Sequence, residues 1–196
     1  MKKLKLIFLL VLFIQIGNAY AKKLVYPIEV VAGMADLIVT GEIEKVHSHT
    51  YVFKIAQTIK GKSHQRITVH MFKEWTCDRR IRKPEVGQKL FLFLNKKIFS
   101  YESINGSTGE MFIDEDRVVG DIDGSRPTIA ELSDALQIFV SCYTLKGKKY
   151  HSSKGTIFIQ NKSDDEIGKL YSTSVLVQYF FDKMKQYMIE KKDSEK

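Results

Sequence analysis

A chain of 196 residues that is 44% apolar and 28% charged, with only three prolines, has enough hydrophobic residues for one core of ordinary size. No repeat, low-complexity run or linker divides it, which excludes solenoids and strings of small modules and favours one compact unit. The formal charge of +8 points to an anionic partner or to charges paired within the fold.

The first 21 residues read as a cleavable export signal. Lys2, Lys3 and Lys5 form a positive start, residues 6–16 are an apolar run, and Ala19-Tyr20-Ala21 provides small residues before the cut. The apolar run is shorter than the roughly 20 residues of a permanent span. The mature chain, about 175 residues from Lys22, is therefore expected in a periplasm or the extracellular medium, with no lasting membrane span. Without the three leader lysines, 28 basic residues face 23 acidic ones, a net charge of +5. Residues 60–97 carry a net +8 and residues 102–134 a net −7, so the two blocks either pair across the fold or leave a basic face for an anionic partner. An exported protein seldom meets nucleic acid, which argues against that partner.

In the mature chain, residues 26–36 place Ile28, Val31 and Met34 on one helical face after Pro27. Strands follow over 36–47, with Gly41 at a bulge, over 50–61 and over 65–72, each with apolar alternation. His47-Ser48-His49 forms the first turn. KLFLFLNKK, residues 89–97, is continuously apolar in the manner of a strand buried on both faces. Residues 109–124 form a hairpin turning at Asp114 to Asp116. Successive strands of unequal length argue for a small antiparallel barrel. Two helices then pack on it, separated by a short strand at 155–160. Thr128 with Glu131 and Ser163 with Glu166 are capping boxes, and the second helix carries a stripe from Ile167 to Met188. The expected division is a signal peptide at 1–21, a barrel at 22–125, a helical extension at 126–190 and a disordered tail at 191–196.

The runs ADLIVTGEIEKV, YVFKIAQTIKGK and VGQKLFLFL, in that order and spacing, resemble exported bacterial proteins related to tissue inhibitors of metalloproteinases and netrin-like modules. The resemblance covers about residues 30–125 and implies an OB-like five-stranded barrel. Animal inhibitors of that group chelate the zinc of a protease through a cysteine at the mature N-terminus. Here the expected N-terminus is Lys22-Lys23-Leu24, so that role is carried over to no residue.

The stretch EWTCDRRIR, residues 74–82, joins the only Trp to one of the two cysteines and to three arginines. In an oxidising compartment two cysteines imply one disulfide, Cys77 to Cys142, which would staple the first C-terminal helix to the barrel. The alternative is a reactive Cys77 beside Arg79 and Arg80, with His70 or His64 as base. For a metal, His47 and His49 share one side of a strand, and the acids from Asp114 to Asp123 have calcium-loop composition without the ligand spacing. The favoured reading of both groups is exposed turn residues, and neither a cofactor nor a metal is expected. No phosphate loop, nucleophile elbow or HExxH is present. The reading adopted is a non-enzymatic binding module that contacts a protein or an anionic ligand through Trp75, Arg79, Arg80 and Arg82, the residue types enriched at binding hot spots. Trp75 covering the barrel mouth, and arginines pairing with the acids of 110–123, is the structural alternative. A small hydrolase or redox enzyme using Cys77, and an envelope component docking by its C-terminal helix, are the rival functions.

Overall fold

The computed structural model describes residues 23–120, 122, 124–147, 150 and 155–192. The expected signal, most of the expected tail, and Asp121 and Asp123 of the acidic block lie outside the described residues.

The apolar alternation closes into a barrel. Strands β1 (Leu37–Val46), β2 (Thr50–Lys60), β3 (Arg66–His70), β4 (Lys89–Lys96) and β5 (Tyr101–Ser103) run in the order β1-β2-β3-β5-β4, and β4 returns to pair with β1. All barrel pairs are antiparallel except β3 with β5, where Val69 faces Tyr101 and His70 faces Glu102. This is a closed five-stranded barrel of OB-like type. Gly41 is where β1 coils: its register with β2 slips between Thr40 and Gly41, and a Cβ there would lie 2.1 Å from the Lys54 carbonyl oxygen. Only glycine admits so close an approach of two backbones.

One face of each strand fills the barrel with Leu37, Val39, Ile43, Tyr51, Phe53, Ile67, Val69, Leu90, Leu92 and Leu94. The other face of β4 sends Phe91 and Phe93 into a second core beneath the helices, which accounts for the unbroken apolar run at 90–94. Strands β6 (Glu110–Asp114) and β7 (Arg117–Val119) add the expected hairpin, with Asp114 opposite Arg117 and Glu115 at φ 56° in the turn. β6 shares an edge of β4 with β5: Leu94 faces Ser103, whereas Leu92 faces Glu110. A single 3-10 turn, Gly106–Thr108, bulges out between them.

Helix α1 (Ile28–Met34) is more buried than its expected stripe, because Glu29, Val30 and Ala32 are covered as well. The Glu29 carboxylate accepts a hydrogen bond of 2.7 Å from the Tyr187 hydroxyl, so the buried acid has a partner. Helix α2 (Ile129–Cys142) begins in the expected capping box and buries Leu132, Ala135, Leu136, Phe139 and Cys142. It ends at Cys142, where Tyr143–Leu145 form strand β8, which pairs with β9 (Ile157–Gln160).

The second C-terminal helix is corrected to two, α3 (Asp164–Tyr171) and α4 (Val175–Met184). Ser172, Thr173 and Ser174 break it, since hydroxyl side chains compete for helical backbone groups. The Thr173 hydroxyl donates to the Leu170 carbonyl at 2.7 Å, and the Ser174 hydroxyl caps the Val177 N–H. Met188, assigned above to the helical stripe, instead opens strand β10 (Met188–Lys191), parallel to β9 and exposed. The extension is thus three helices and a three-stranded sheet on the barrel. No helix among the described residues is long and apolar enough to cross a membrane.

Candidate binding cleft

The segment between β3 and β4 holds EWTCDRRIR in a tight turn. Trp75 and Asp78 exchange backbone hydrogen bonds of 3.2 and 2.9 Å, which leaves Thr76 and Cys77 exposed at the tip. The Asp78 side chain turns inward. Its Oδ1 accepts from Lys23 Nζ at 2.8 Å and from the Ser107 N–H at 3.1 Å, and Lys23 also reaches the Ser107 and Thr108 hydroxyls. Asn105 completes the latch, accepting from the Tyr26 N–H and donating to the Leu24 carbonyl. Gly106 is required here: it sits at φ +58°, and a Cβ would meet the Asp78 carboxylate at 2.0 Å. Residues 23–26 are in this way tied across the 3-10 turn to the Cys77 loop. Burial works to raise the Asp78 carboxyl, but Lys23 and Ser107 together hold it below the usual carboxylate value.

Arg80 is the centre of a second network, and its side chain is only 7% exposed. Its Nε donates to Glu110 Oε1 at 2.6 Å, its Nη1 donates to the Phe72 carbonyl at 3.0 Å, and its guanidinium lies 3.7 Å from the Phe72 ring centre. Its backbone N–H donates to Glu74 at 2.7 Å. Glu110 also accepts from the buried Tyr51 hydroxyl inside the barrel. Burial pushes the Glu110 carboxyl up against the pull of Arg80, and burial with the adjacent Glu110 charge pushes the Tyr51 hydroxyl well above its ordinary value. Arg80 Nη2 is buried and has no hydrogen-bond partner among the described residues.

Between these networks opens a cleft of about 440 Å³. Leu90, Met111, Phe112 and Val119 give it apolar surface; Cys77, Arg79 and Arg82 line it with exposed side chains, and Tyr26 and Tyr179 reach it from the N-terminal segment and from α4. The Arg82 guanidinium stands 4.8 Å from the Phe112 ring centre, a geometry that orients the cation while leaving its donors in solvent.

The structure therefore gathers Cys77, Arg79, Arg80 and Arg82 at one cleft but gives them different roles. Arg80 is a structural strut, as the pairing alternative had it; Arg79 and Arg82 are exposed and have no acidic partner among the described residues. Trp75 is 41% exposed beside the cleft and does not line it. Arg80–Glu110 and Lys97–Glu102 join the basic and acidic blocks of the chain.

The expected disulfide is corrected: Cys77 and Cys142 are both free, one exposed on the turn and the other buried. Cys142 lies at the end of α2 and is fully buried in the helical core, away from the surface that carries Cys77. Burial raises the Cys142 thiol.

Among the described residues no histidine lines the cleft; His47 and His49 are exposed in the β1–β2 turn, and His64 and His70 lie elsewhere on the barrel surface. Among the described residues no three His, Cys, Asp or Glu side chains are grouped to hold a metal ion. Sequence reasoning missed Lys23, Asp78 and the Asn105-Gly106-Ser107 turn, and held Glu110 only as one of the acids of 110–123 in the pairing alternative. The Asn-Gly pair was the available signal, because it favours the left-handed turn that both residues adopt here. No family model matches the chain, and a search of curated proteins finds no match.

Proposed function

We propose that this is an exported, non-enzymatic binding module that holds an acidic segment of a partner protein in the cleft beside the Cys77 turn. The observation that carries the reading is the pairing of two exposed arginines, Arg79 and Arg82, with an apolar surface of Leu90, Met111 and Phe112 in one cleft. A guanidinium fork matches a carboxylate in a bidentate way, and the methylene groups of a Glu side chain suit the apolar surface. The volume admits a few side chains rather than a folded domain. Arg80 supports this by carrying the loop: its four contacts hold the turn against the barrel, so Arg79 and Arg82 are presented on a fixed base. The resemblance to netrin-like and metalloproteinase-inhibitor modules agrees with a binding role, and the leader at 1–21 with a site outside the cytoplasm.

The test is fluorescence anisotropy with a labelled glutamate-rich peptide and the mature chain. Hydrogen bonds to charged groups are each worth about 1.5–3 kcal/mol. Arg79→Glu with Arg82→Glu is expected to weaken binding by about 100-fold or more with a melting temperature near that of the parent. Unchanged affinity in that variant would remove the cleft from consideration.

A further inference from the structure

At the other end of β4 the chain makes a tight turn in which the Lys97 N–H donates to the Ser100 carbonyl at 2.8 Å. The two residues at its tip are Ile98 and Phe99, 85% and 93% exposed, the most exposed large apolar side chains among the described residues. Two-residue hairpin tips ordinarily carry Asn, Asp or Gly, and an apolar pair there gains nothing from its own fold. Behind the tip lies a groove of about 600 Å³ lined by Lys62, His64, Arg66, Lys96, Lys97 and Tyr101. Arg66 is paired with Glu44 and Lys97 with Glu102, whereas Lys62 and Lys96 have no acidic partner among the described residues.

We propose that this tip is a membrane-docking element that inserts Ile98 and Phe99 into the interface of a bilayer carrying anionic lipids. The shape and the charge together select that occupant. The apolar pair forms the tip of the turn directly after Lys96 and Lys97, so inserting the pair below the headgroups would bring the ammonium groups level with the phosphates. Juxtamembrane lysines are drawn to anionic lipid, and that attraction fades within a Debye length. A second copy of this chain docking tip to groove would bring the Lys62, Arg66, Lys96 and Lys97 of both copies together, since these cations line the groove along with Ile67, Tyr101 and the tip itself. Two inserted side chains and a few lysines hold a protein weakly, so the docking is reversible and sensitive to salt. The cleft stands about seven residues of β4 away, roughly 20 Å at the rise of a strand, and remains in solution when the tip is inserted.

The experiment is co-sedimentation of the mature chain with vesicles of phosphatidylcholine containing about 30% phosphatidylglycerol, against vesicles of phosphatidylcholine alone. Binding to the anionic vesicles is expected to be at least about tenfold stronger and to fall steeply between low and physiological salt. Ile98→Ser with Phe99→Ser is expected to lose at least about tenfold of that binding, keep its melting temperature, and bind the glutamate-rich peptide as before. Lys62→Gln with Lys96→Gln should weaken binding and flatten its salt dependence. The proposal is overturned if the serine variant binds vesicles like the parent or if both vesicle types bind equally. It is also overturned if the tip instead drives a concentration-dependent self-association that the serine variant abolishes.

Discussion

Arg79 and Arg80 are neighbours in sequence, yet replacing each with alanine should have opposite consequences. Arg80→Ala removes the 2.6 Å bond to Glu110, the bond to the Phe72 carbonyl and the stacking on the Phe72 ring, and it leaves a carboxylate that is 4% exposed with only Tyr51 for company. Breaking a buried ion pair from one side costs about 3–5 kcal/mol. At about 2–4 °C per kcal/mol for a domain of this size, that is a fall in melting temperature of about 6–20 °C. Arg79→Ala removes only an exposed side chain and is expected to stay within about 0.5 kcal/mol. Urea unfolding of both single variants measures the contrast. The pair variant Arg80→Met with Glu110→Leu should recover much of the loss, because no charge is then stranded. If Arg80→Ala were as mild as Arg79→Ala, the strut described above would be wrong and all three arginines would be equivalent surface residues.

With both cysteines free, a maleimide should add once to the native protein, at Cys77, and twice after denaturation; no addition in either condition would mean that a disulfide forms after all. Asp78 is ionised more readily in the folded chain than in the unfolded one, so its contribution to stability is complete above the unfolded value of about 3.9 and is lost as pH falls through the lower, folded value. The stability gap between the parent and Asp78→Asn should accordingly shrink below about pH 4, and a gap that is constant from pH 7 to 3 would contradict the latch. Gly41→Ala drives a methyl group into the Lys54 carbonyl and should cost about 1–3 kcal/mol in urea unfolding, as overpacking does, whereas a neutral effect would deny the close approach of β1 and β2.

What the sequence disclosed and what it concealed divide along physical lines. The barrel was legible because period-two alternation in β2 and β3 and the double-sided run at 90–94 report burial directly. Both capping boxes were legible because a cap is a contact three residues long. The break between α3 and α4 was not, since the apolar stripe runs on through Ser172-Thr173-Ser174 and only the hydroxyl competition stops the helix. The site followed the same rule. Cys77, Arg79, Arg80 and Arg82 come to one cleft, but Glu110, which sets Arg80 apart, and Lys23, which ties down the neighbouring Asp78, lie 30 and 55 residues from their partners. The cysteine pairing rests on the expected oxidising compartment and on number, and neither carries information about the direction in which a helix faces its core.

The basic cleft, rather than basic surface in general, is proposed to receive the acidic segment. A titration of the isotopically labelled mature chain with a glutamate-rich peptide, followed by amide shifts in NMR, tests this most directly. Shifts are expected to concentrate in residues 77–82, 107–112 and 119–120, the walls of the cleft, and to saturate with one peptide per chain. Shifts centred on residues 62–68 and 96–101, or spread without saturation over the exposed lysines, would contradict it.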